Sequence, residues 1–319
     1  MKTTYARTAI SCAAYFGAAA FVLAISALPV IAQELEELIE ENAVPQFGVV
    51  GYGAYTFQGD ADIDGGGSMQ VNRYSGTIAG QTDLIENLRW TNTFFIGADS
   101  YDFDGGGFAA GRPWQDILSM RLGTRLRYQL NQEWGVWAGG VFEFAPETGA
   151  NWGKSFTGGG QVGGDYTFSE TLFVSVGIAV LTQIEEDPKV TPSVGLNWLP
   201  HEQWAVRVGA IPVSGGIATG AEVAYRVAEP VTIGLGLLYK QHRFRLDDSG
   251  VAPEGVGQEN TLPLRLRVGW DITKNISVHL LGGVALAGEL ELDNRNGNQL
   301  SSKDYDPAAY FGVRILAGI

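Results

Sequence analysis

Residues 118–130 read LSMRLGTRLRYQL and carry the clearest structural pattern of the chain. Its apolar side chains recur at every second position, and most of the residues between them are serine, arginine or glutamine. A period of two is that of a β-strand whose two faces meet different surroundings. Strands average about five or six residues, so an alternation kept over the whole stretch predicts an unusually long strand.

The stretch runs into a short polar break and a second alternating run, and the same phrase recurs along the chain. Each copy reads as a hairpin with an aromatic residue just before a tight turn. The aromatic residues are Tyr128, Tyr166, Trp198, Tyr225 and Trp270. Rings gathered beside one set of turns are typical of the aromatic girdle at a membrane interface.

Longer polar segments separate these hairpins and predict loops on the opposite side. They lie at 58–67, 104–116, 146–154, 183–188, 247–257 and 293–306. With a brief loop at 213–216 and an inner turn at 80–83, the pattern predicts about 14 strands, with 12 as the alternative. Short turns on one side and long loops on the other indicate an all-β transmembrane antiparallel up-and-down β-barrel. The competing fold, a secreted β-sandwich, has no reason to alternate its loop lengths.

The N-terminus predicts export. Lys2 and Arg7 precede an apolar run that ends in VIAQ, so residues 1–32 are predicted to be a signal peptide. A short acidic periplasmic segment, 33–45, follows, and 46–319 form the barrel. The single cysteine lies in the signal segment, which leaves the exported chain no thiol chemistry. A net charge of -14 without a long basic run argues against nucleic acid as a partner.

Charged residues on the polar face of the predicted strands are expected to project into the lumen. The candidate lumen-lining residues are Arg121, Arg125, Arg127, Arg207, Arg226, Arg265, Arg267, Arg314, Glu143, Asp165, Glu222 and Asp271. They either pair and fill the lumen or line a water-filled passage. Glu289 and Glu291 are expected on the same inner face. The arginines of the fourth and twelfth strands should face each other, which predicts a modest anion preference.

Two surface features suggest further ligands. Arg243 and Arg245 continue the lipid-facing row of their strand beyond Tyr239, and we expect them to meet lipopolysaccharide phosphates. Asp60, Asp62 and Asp64 have EF-hand spacing, but the twelfth position is Val71 instead of a bidentate glutamate. We interpret that segment as a solvated acidic loop, and we expect neither a metal nor a cofactor.

The three histidines predict no enzyme. His201 lies in a turn, His242 lies near the outer rim, and His279 shares the inner face with Ser277. None has a nucleophile and a carboxylate at a recognisable spacing. The favoured function is a channel or transporter for small solutes in the bacterial outer membrane, in contact with lipid and lipopolysaccharide. The alternative is a closed barrel with a structural or surface-interaction role through its extracellular loops, and the oligomeric state stays open.

Three outer-loop phrases carry a resemblance to a known family. They are YDFDGGG with GRPWQDI (101–117), HRFRLDDSGVAPEGVGQE (242–259) and GELELDNRNGNQLSSKDYDPAAYFG (288–312). From about residue 85 to its end, the chain resembles a family of bacterial outer-membrane β-barrels catalogued as a domain of unknown function. The resemblance implies the barrel fold and an outer-membrane location, and it brings no catalytic or ligand-binding residues.

Overall fold

The computed structural model of the chain describes residues 47–318, and the predicted signal peptide and acidic segment lie outside the described residues. The strands are β1 (Phe47–Asp62), β2 (Ser68–Ile85), β3 (Leu88–Asp104), β4 (Asp116–Gln129), β5 (Trp134–Phe144), β6 (Phe156–Ser169), β7 (Leu172–Gln183), β8 (Glu186–His201), β9 (Trp204–Val213), β10 (Gly216–Ala228), β11 (Val231–Arg245), β12 (Val256–Thr273), β13 (Ile276–Asp293), β14 (Gln299–Tyr305) and β15 (Ala308–Gly318). Two short 3-10 helices, Ala109–Gly111 and Trp152–Ser155, lie in outer loops. No helix within 47–318 is long and apolar enough to cross a membrane.

The strands close into one antiparallel barrel. Each pairs with its neighbour in sequence as far as β13, and β1 pairs with β15, so that Val50 lies opposite Gly318. β14 pairs with the outer part of β13 and β15 with its inner part. They are the two halves of the fourteenth strand, interrupted at Pro307, which has no N–H to donate to a ladder. The predicted 14-strand barrel is confirmed.

The alternation read from the sequence corresponds to the two faces of the wall. Leu122 and Leu126 are 48% and 43% exposed on the outside, whereas Arg125 is 5% exposed on the inside. Tyr166 of the predicted aromatic girdle also contacts a ring on the neighbouring strand, because its centroid lies 4.6 Å from that of Trp134. One predicted turn was wrong: the turn between β2 and β3 lies at residues 86–87 and not at 80–83. The cause is that β2 is one long strand.

At the outer end the barrel narrows, because not every strand reaches that level. Residues 145–147 cross from β4 to β11: the N–H of Leu118 donates to the oxygen of Pro146 at 2.9 Å, and the N–H of Arg245 to that of Ala145 at 2.9 Å. On the other side, the N–H of Asp64 donates to Asp304 O at 2.9 Å and joins β1 to β14. A smaller ring of β1–β4, residues 145–147 and β11–β14 therefore closes above the ends of β5–β10.

This smaller ring is filled with apolar side chains, which we call the cap. Its buried members are Ala61, Ile63, Met69, Val71, Tyr101, Phe103, Ala109, Trp114, Ile117, Ala145, Phe244, Leu246, Ala252, Leu290, Leu292, Tyr305 and Ala308. Trp114, from the β3–β4 loop, is 1% exposed, and its ring contacts those of Tyr101, Phe103 and Phe244 at centroid distances of 5.9, 5.5 and 5.2 Å. Apolar interiors of this kind pack about as densely as crystals of small organic molecules. The cap therefore seals the axial route at the outer end.

The hairpin of β9 and β10 leaves the wall and bends into the lumen. β9 pairs with β8 only as far as Val208, and β10 pairs with β11 only as far as Thr219. At the bend Gly209 has a φ of +129°, which side-chain-bearing residues rarely adopt. A Cβ on Gly220 would lie 2.1 Å from the oxygen of Leu237. Beyond the bend, residues 210–218, which we call the tip, are largely buried inside the barrel.

Two prolines within strands fall where a ladder hydrogen bond is not required. Pro192 lies in the half of β8 that β9 has left, and Pro263 lies at an irregularity in the pairing of β12 with β13.

Candidate solute pathway

The departure of the tip leaves a side opening in the barrel wall between the outer halves of β8 and β11. Over residues 186–195 of β8 and 240–244 of β11, these two edges have no ladder partner on that side among the described strands. A cavity of about 190 Å³ occupies the gap. It is lined by outward-facing Tyr239 and Gln241 and by inward-facing Arg121 and Glu143. Because both faces of the wall line one cavity, the cavity runs through the wall.

Arg243 and Arg245 form the upper border of this opening, which corrects the expectation that they reach lipopolysaccharide. Both belong to the outward-facing row as predicted, but the β7–β8 turn folds over them. Arg243 donates to Ile184 O at 2.9 Å and to Asp293 at 2.8 Å, while Arg245 binds Glu185 and main-chain oxygens of two other outer loops. Their guanidinium groups are buried and ion-paired within the protein, so they are not available to lipid phosphates.

Residues 145–147, the segment between the outer ends of β4 and β11, are fixed through the side chain of Glu147. Its carboxylate accepts the N–H groups of Gln115 and Asp247 at 2.9 and 3.0 Å. Burial raises the pKa of Glu147 above its ordinary value. The segment that separates β4 from β11 is therefore fixed from two loops.

Two further cavities lie inward of the side opening. A space of about 30 Å³ shares Arg121 and Ile217 with the side-opening cavity and is lined largely by Thr91, Phe95 and other inner-face residues. A vestibule of about 860 Å³ lies at the end of the barrel where the short turns are, since Glu170 and Gln203 of those turns line it. A water needs roughly 10–15 Å³ of such space, so the middle cavity holds about two waters and is the constriction.

The tip forms one wall of this constriction. Its Ile217 lines the middle cavity, and the hydroxyl of Thr56 on β1 donates to the hydroxyl of Ser214 across the lumen. Arg265 also donates to Pro212 O at 3.2 Å. The backbone at Gly215 packs against the carboxylate of Asp99. The tip therefore spans the lumen from the β10 side to β1 and β3.

The predicted lumen arginines lie on the inner wall, and two of them share one carboxylate. Arg121 pairs with Glu143 at 2.8 Å. Asp165 pairs with Arg127 at 2.6 Å and lies 3.9 Å from Arg125, whose guanidinium also stacks over Trp137 at 4.7 Å.

On the other side of the lumen, Glu222 is shared in the same way. It lies 2.7 Å from both Arg265 and Arg267. These lining residues comprise five guanidinium groups and three carboxylates, so the lining formed by them carries an excess of positive charge.

The remaining predicted lumen residues meet in the vestibule. Its lining includes Arg127, Arg207, Arg226, Arg267, Arg314 and Asp271. The predicted orientation of Glu289 and Glu291 was wrong. The pairing of β12 with β13 is irregular between Ala285 and Gly288, which turns Leu290 and Leu292 into the cap and the two glutamates outward.

The residues considered for metal binding or catalysis are distributed as follows. Asp60 accepts a hydrogen bond from Gln70 at 2.7 Å, and within 47–318 no group of three or more His, Cys, Asp or Glu side chains is placed to hold a metal ion. His201 lies at the β8–β9 turn, and its Nδ1 accepts the N–H of Gln203 at 3.3 Å. His279 Nδ1 lies 3.0 Å from an Arg314 nitrogen in the vestibule. His242 lies on the inner face, where Ser119 contacts it.

The fold defines a closed antiparallel β-barrel of the outer-membrane type. The chain belongs to the family described as Domain of unknown function (DUF6268), whose model matches residues 98–318, which confirms the resemblance seen in the outer loops. Comparison with curated protein sequences finds no significant match.

Solved structures of outer-membrane channels have a similar fold. A TodX monoaromatic hydrocarbon channel mutant matches with a TM-score of 0.50 and 10% identity, over 86% of this chain and 91% of that one. The toluene transporter TodX of P. putida matches at 0.49 and 9% over 88% and 92%. An outer membrane channel from Pseudomonas putida F1 matches at 0.44 and 13% over 86% and 97%.

Proposed function

We propose that the protein is an outer-membrane channel that passes small amphipathic solutes between the side opening and the vestibule. The proposal is based on the succession of three cavities. The side-opening cavity and the middle cavity share lining residues. Arg125 lines the middle cavity, and Arg127, two residues further along the same strand, lines the vestibule. The cap closes the axial alternative. The likeness in fold to a monoaromatic hydrocarbon channel is compatible with a small-solute route of this kind.

The lining favours solutes that combine an apolar part with a negative charge. Leu181, Ile184 and Tyr239 supply apolar surface at the side opening. Deeper in, the shared carboxylates Asp165 and Glu222 leave an excess of guanidinium charge. Positive charge in a confined passage favours anions. We therefore retain the arginine-rich lumen and its modest anion preference as part of the proposal.

The constriction implies that passage requires the tip to move. In the described conformation the middle cavity holds about two waters, which is too small for a solute. The tip is held mainly by the Thr56–Ser214 contact, the Arg265–Pro212 contact and the apolar contacts of Ile211 and Ala218 with Leu238. None of these contacts is covalent, so we propose that the tip opens locally when they break.

Reconstitution tests the channel. Purified, refolded protein in a planar bilayer should give intermittent single-channel currents, with a reversal potential in a salt gradient that shows a modest anion preference. A cation-selective pore would contradict the charge argument. The absence of both conductance and solute uptake into liposomes would favour the alternative, a closed barrel that acts through its outer loops, which the cap and the narrow middle cavity also suit.

Location is tested separately. On cell fractionation the protein should appear in the outer membrane and show the heat-dependent gel mobility of a folded barrel. Recovery as a soluble periplasmic protein would contradict the proposed location.

A further inference from the structure

Three polar side chains meet beneath the cap, and the proposed channel does not explain them. Ser119 on β4, His242 on β11 and Asp99 on β3 are all at most 6% exposed. The Oγ of Ser119 lies 3.0 Å from Nε2 of His242, and Oδ2 of Asp99 lies 3.5 Å from Nδ1 of the same ring. A hydroxyl, an imidazole and a carboxylate in this order are the groups of a serine nucleophile, its general base and the residue that orients the base.

The narrowing of the barrel brings these side chains together. Ser119 and His242 are 123 positions apart in sequence. Only residues 145–147 separate β4 from β11 at the outer end, since both strands bond to that short segment. The inward side chains just below it therefore touch across the lumen. Asp99 joins them from β3, the neighbour of β4, where its own partner in the ladder is Ile117.

The hydrogen-bonding possibilities of the ring agree with this arrangement. When Nδ1 carries the ring proton, Nε2 accepts the hydroxyl proton of Ser119. Nδ1 has no hydrogen-bond partner among residues 47–318, and Asp99 is the carboxylate beside it. A separation of 3.5 Å is longer than a hydrogen bond, but such contacts commonly tighten when a substrate binds. Arg73 and Lys240 hold Asp99 at 2.6 and 3.4 Å.

The side opening gives this site a route to the lipid-facing exterior. His242 and Arg121 both line the side-opening cavity, and Arg121 is the next inward-facing residue after Ser119 on β4. The wall next to the opening is lipid-facing, as the exposed Leu235 and Leu237 of β11 show. At about 190 Å³ the cavity fits an ester group with a short part of its acyl chain. The guanidinium of Arg121, ion-paired with Glu143 at 2.8 Å, is the cationic group that lines this cavity beside His242.

We propose that Ser119 and His242 are the catalytic residues, and Asp99 the positioning residue, of a site that hydrolyses carboxylic esters. Oγ of Ser119 bonds to the ester carbonyl carbon while Nε2 of His242 takes its proton. The carbon–oxygen bond to the alcohol then breaks, and the alcohol leaves with that proton. Water attacks the acyl-serine and gives a proton to Nε2, and Ser119 recovers its proton as the carboxylic acid leaves. Substrate entry rests on the side opening of the proposed function.

Covalent labelling tests the chemistry without any transport. The full-length protein, folded in detergent micelles, is treated with a small fluorophosphonate, and the modified peptide is identified by mass spectrometry. Label on Ser119 in native but not heat-denatured protein is expected. Ser119→Ala and His242→Gln should abolish it. Ser193→Ala, which removes another buried inner-face serine, should leave it unchanged. If native wild-type protein takes no label, or takes it elsewhere, the proposal is overturned, whether or not the variants fold.

Ester turnover distinguishes the roles and the source of the substrate. Asp99→Asn should lower kcat by roughly 10⁴-fold and alter its pH profile in protein that keeps its heat-dependent mobility; an unchanged kcat would contradict the positioning role. Para-nitrophenyl butyrate represents small soluble esters, and a diacyl phospholipid in mixed micelles represents membrane lipids. Hydrolysis of either ester supports the esterase, and the ester that is hydrolysed faster shows whether the substrate is a small soluble ester or a membrane lipid. Hydrolysis of neither would contradict the proposal. If the wild-type protein transports no solute but is still labelled at Ser119, the proposed channel is refuted and the proposed esterase site is not.

Discussion

A covalent bond between the tip and β1 should switch the channel off. The hydroxyl groups of Thr56 and Ser214 are in direct contact across the lumen, so Thr56→Cys with Ser214→Cys places two sulfurs close to the distance of about 2.05 Å that a disulfide requires. With the tip fixed, the middle cavity remains at about 30 Å³, space for about two waters. Solute flux into proteoliposomes should fall to the level of protein-free liposomes under oxidation and return on reduction.

The same contact gives a graded prediction. A buried neutral hydrogen bond contributes about 1 kcal/mol, so Ser214→Ala should raise the population of a rarely open state about fivefold, and flux should rise by a similar factor. Thr56→Cys and Ser214→Cys alone serve as redox controls and should not respond to oxidation. A doubly substituted protein that is shown by mass to be cross-linked and still transports at the wild-type rate would refute the assignment of the tip as the gate.

Three further outcomes are expected. Trp114→Ala should destabilise the cap by roughly 3–5 kcal/mol and speed proteolysis in the outer loops; unchanged protection would contradict the packed cap. The substitutions Arg265→Ser and Arg267→Ser should reduce the anion preference measured by reversal potentials. Glu222→Gln is added so that no unpaired carboxylate stays buried. An unaltered preference would show that these arginines do not determine the selectivity. Single-cysteine labelling of intact cells should reach the β11–β12 loop and not the β4–β5 turn; the opposite result would invert the orientation.

Much of the barrel follows from local pattern. Alternation in residues such as those of 118–130 fixes which face of a strand meets lipid, and the aromatic residues before tight turns mark one rim. The strand number and the separation into short turns and longer loops were therefore predictable. A pairing irregularity is not, because it depends on the neighbouring strand: the one near Pro263 reverses the faces of β13 beyond Ala285, and this is why Glu289 and Glu291 were assigned to the lumen.

The pathway and the inferred site depend on contacts distant in sequence. The tip with one flanking residue on each side reads GAIPVSGGIAT (209–219). Its apolar run without alternation was the available signal that this hairpin does not lie in the wall. Arg243 was placed on the correct face, but the turn that covers it comes from β7. Ser119 and His242 could not be associated from sequence, since their contact arises only where residues 145–147 draw two distant strands together.

Obstruction of the side opening shows whether solutes enter through the barrel wall. Leu181→Trp adds bulk to the lining of the side-opening cavity, whereas Leu235→Trp adds the same ring to the lipid-facing surface of β11, where the native side chain is 55% exposed. Uptake of a small amphipathic carboxylate into proteoliposomes should fall sharply in the first variant and match the wild type in the second. Equal uptake by all three proteins would contradict entry through the barrel wall.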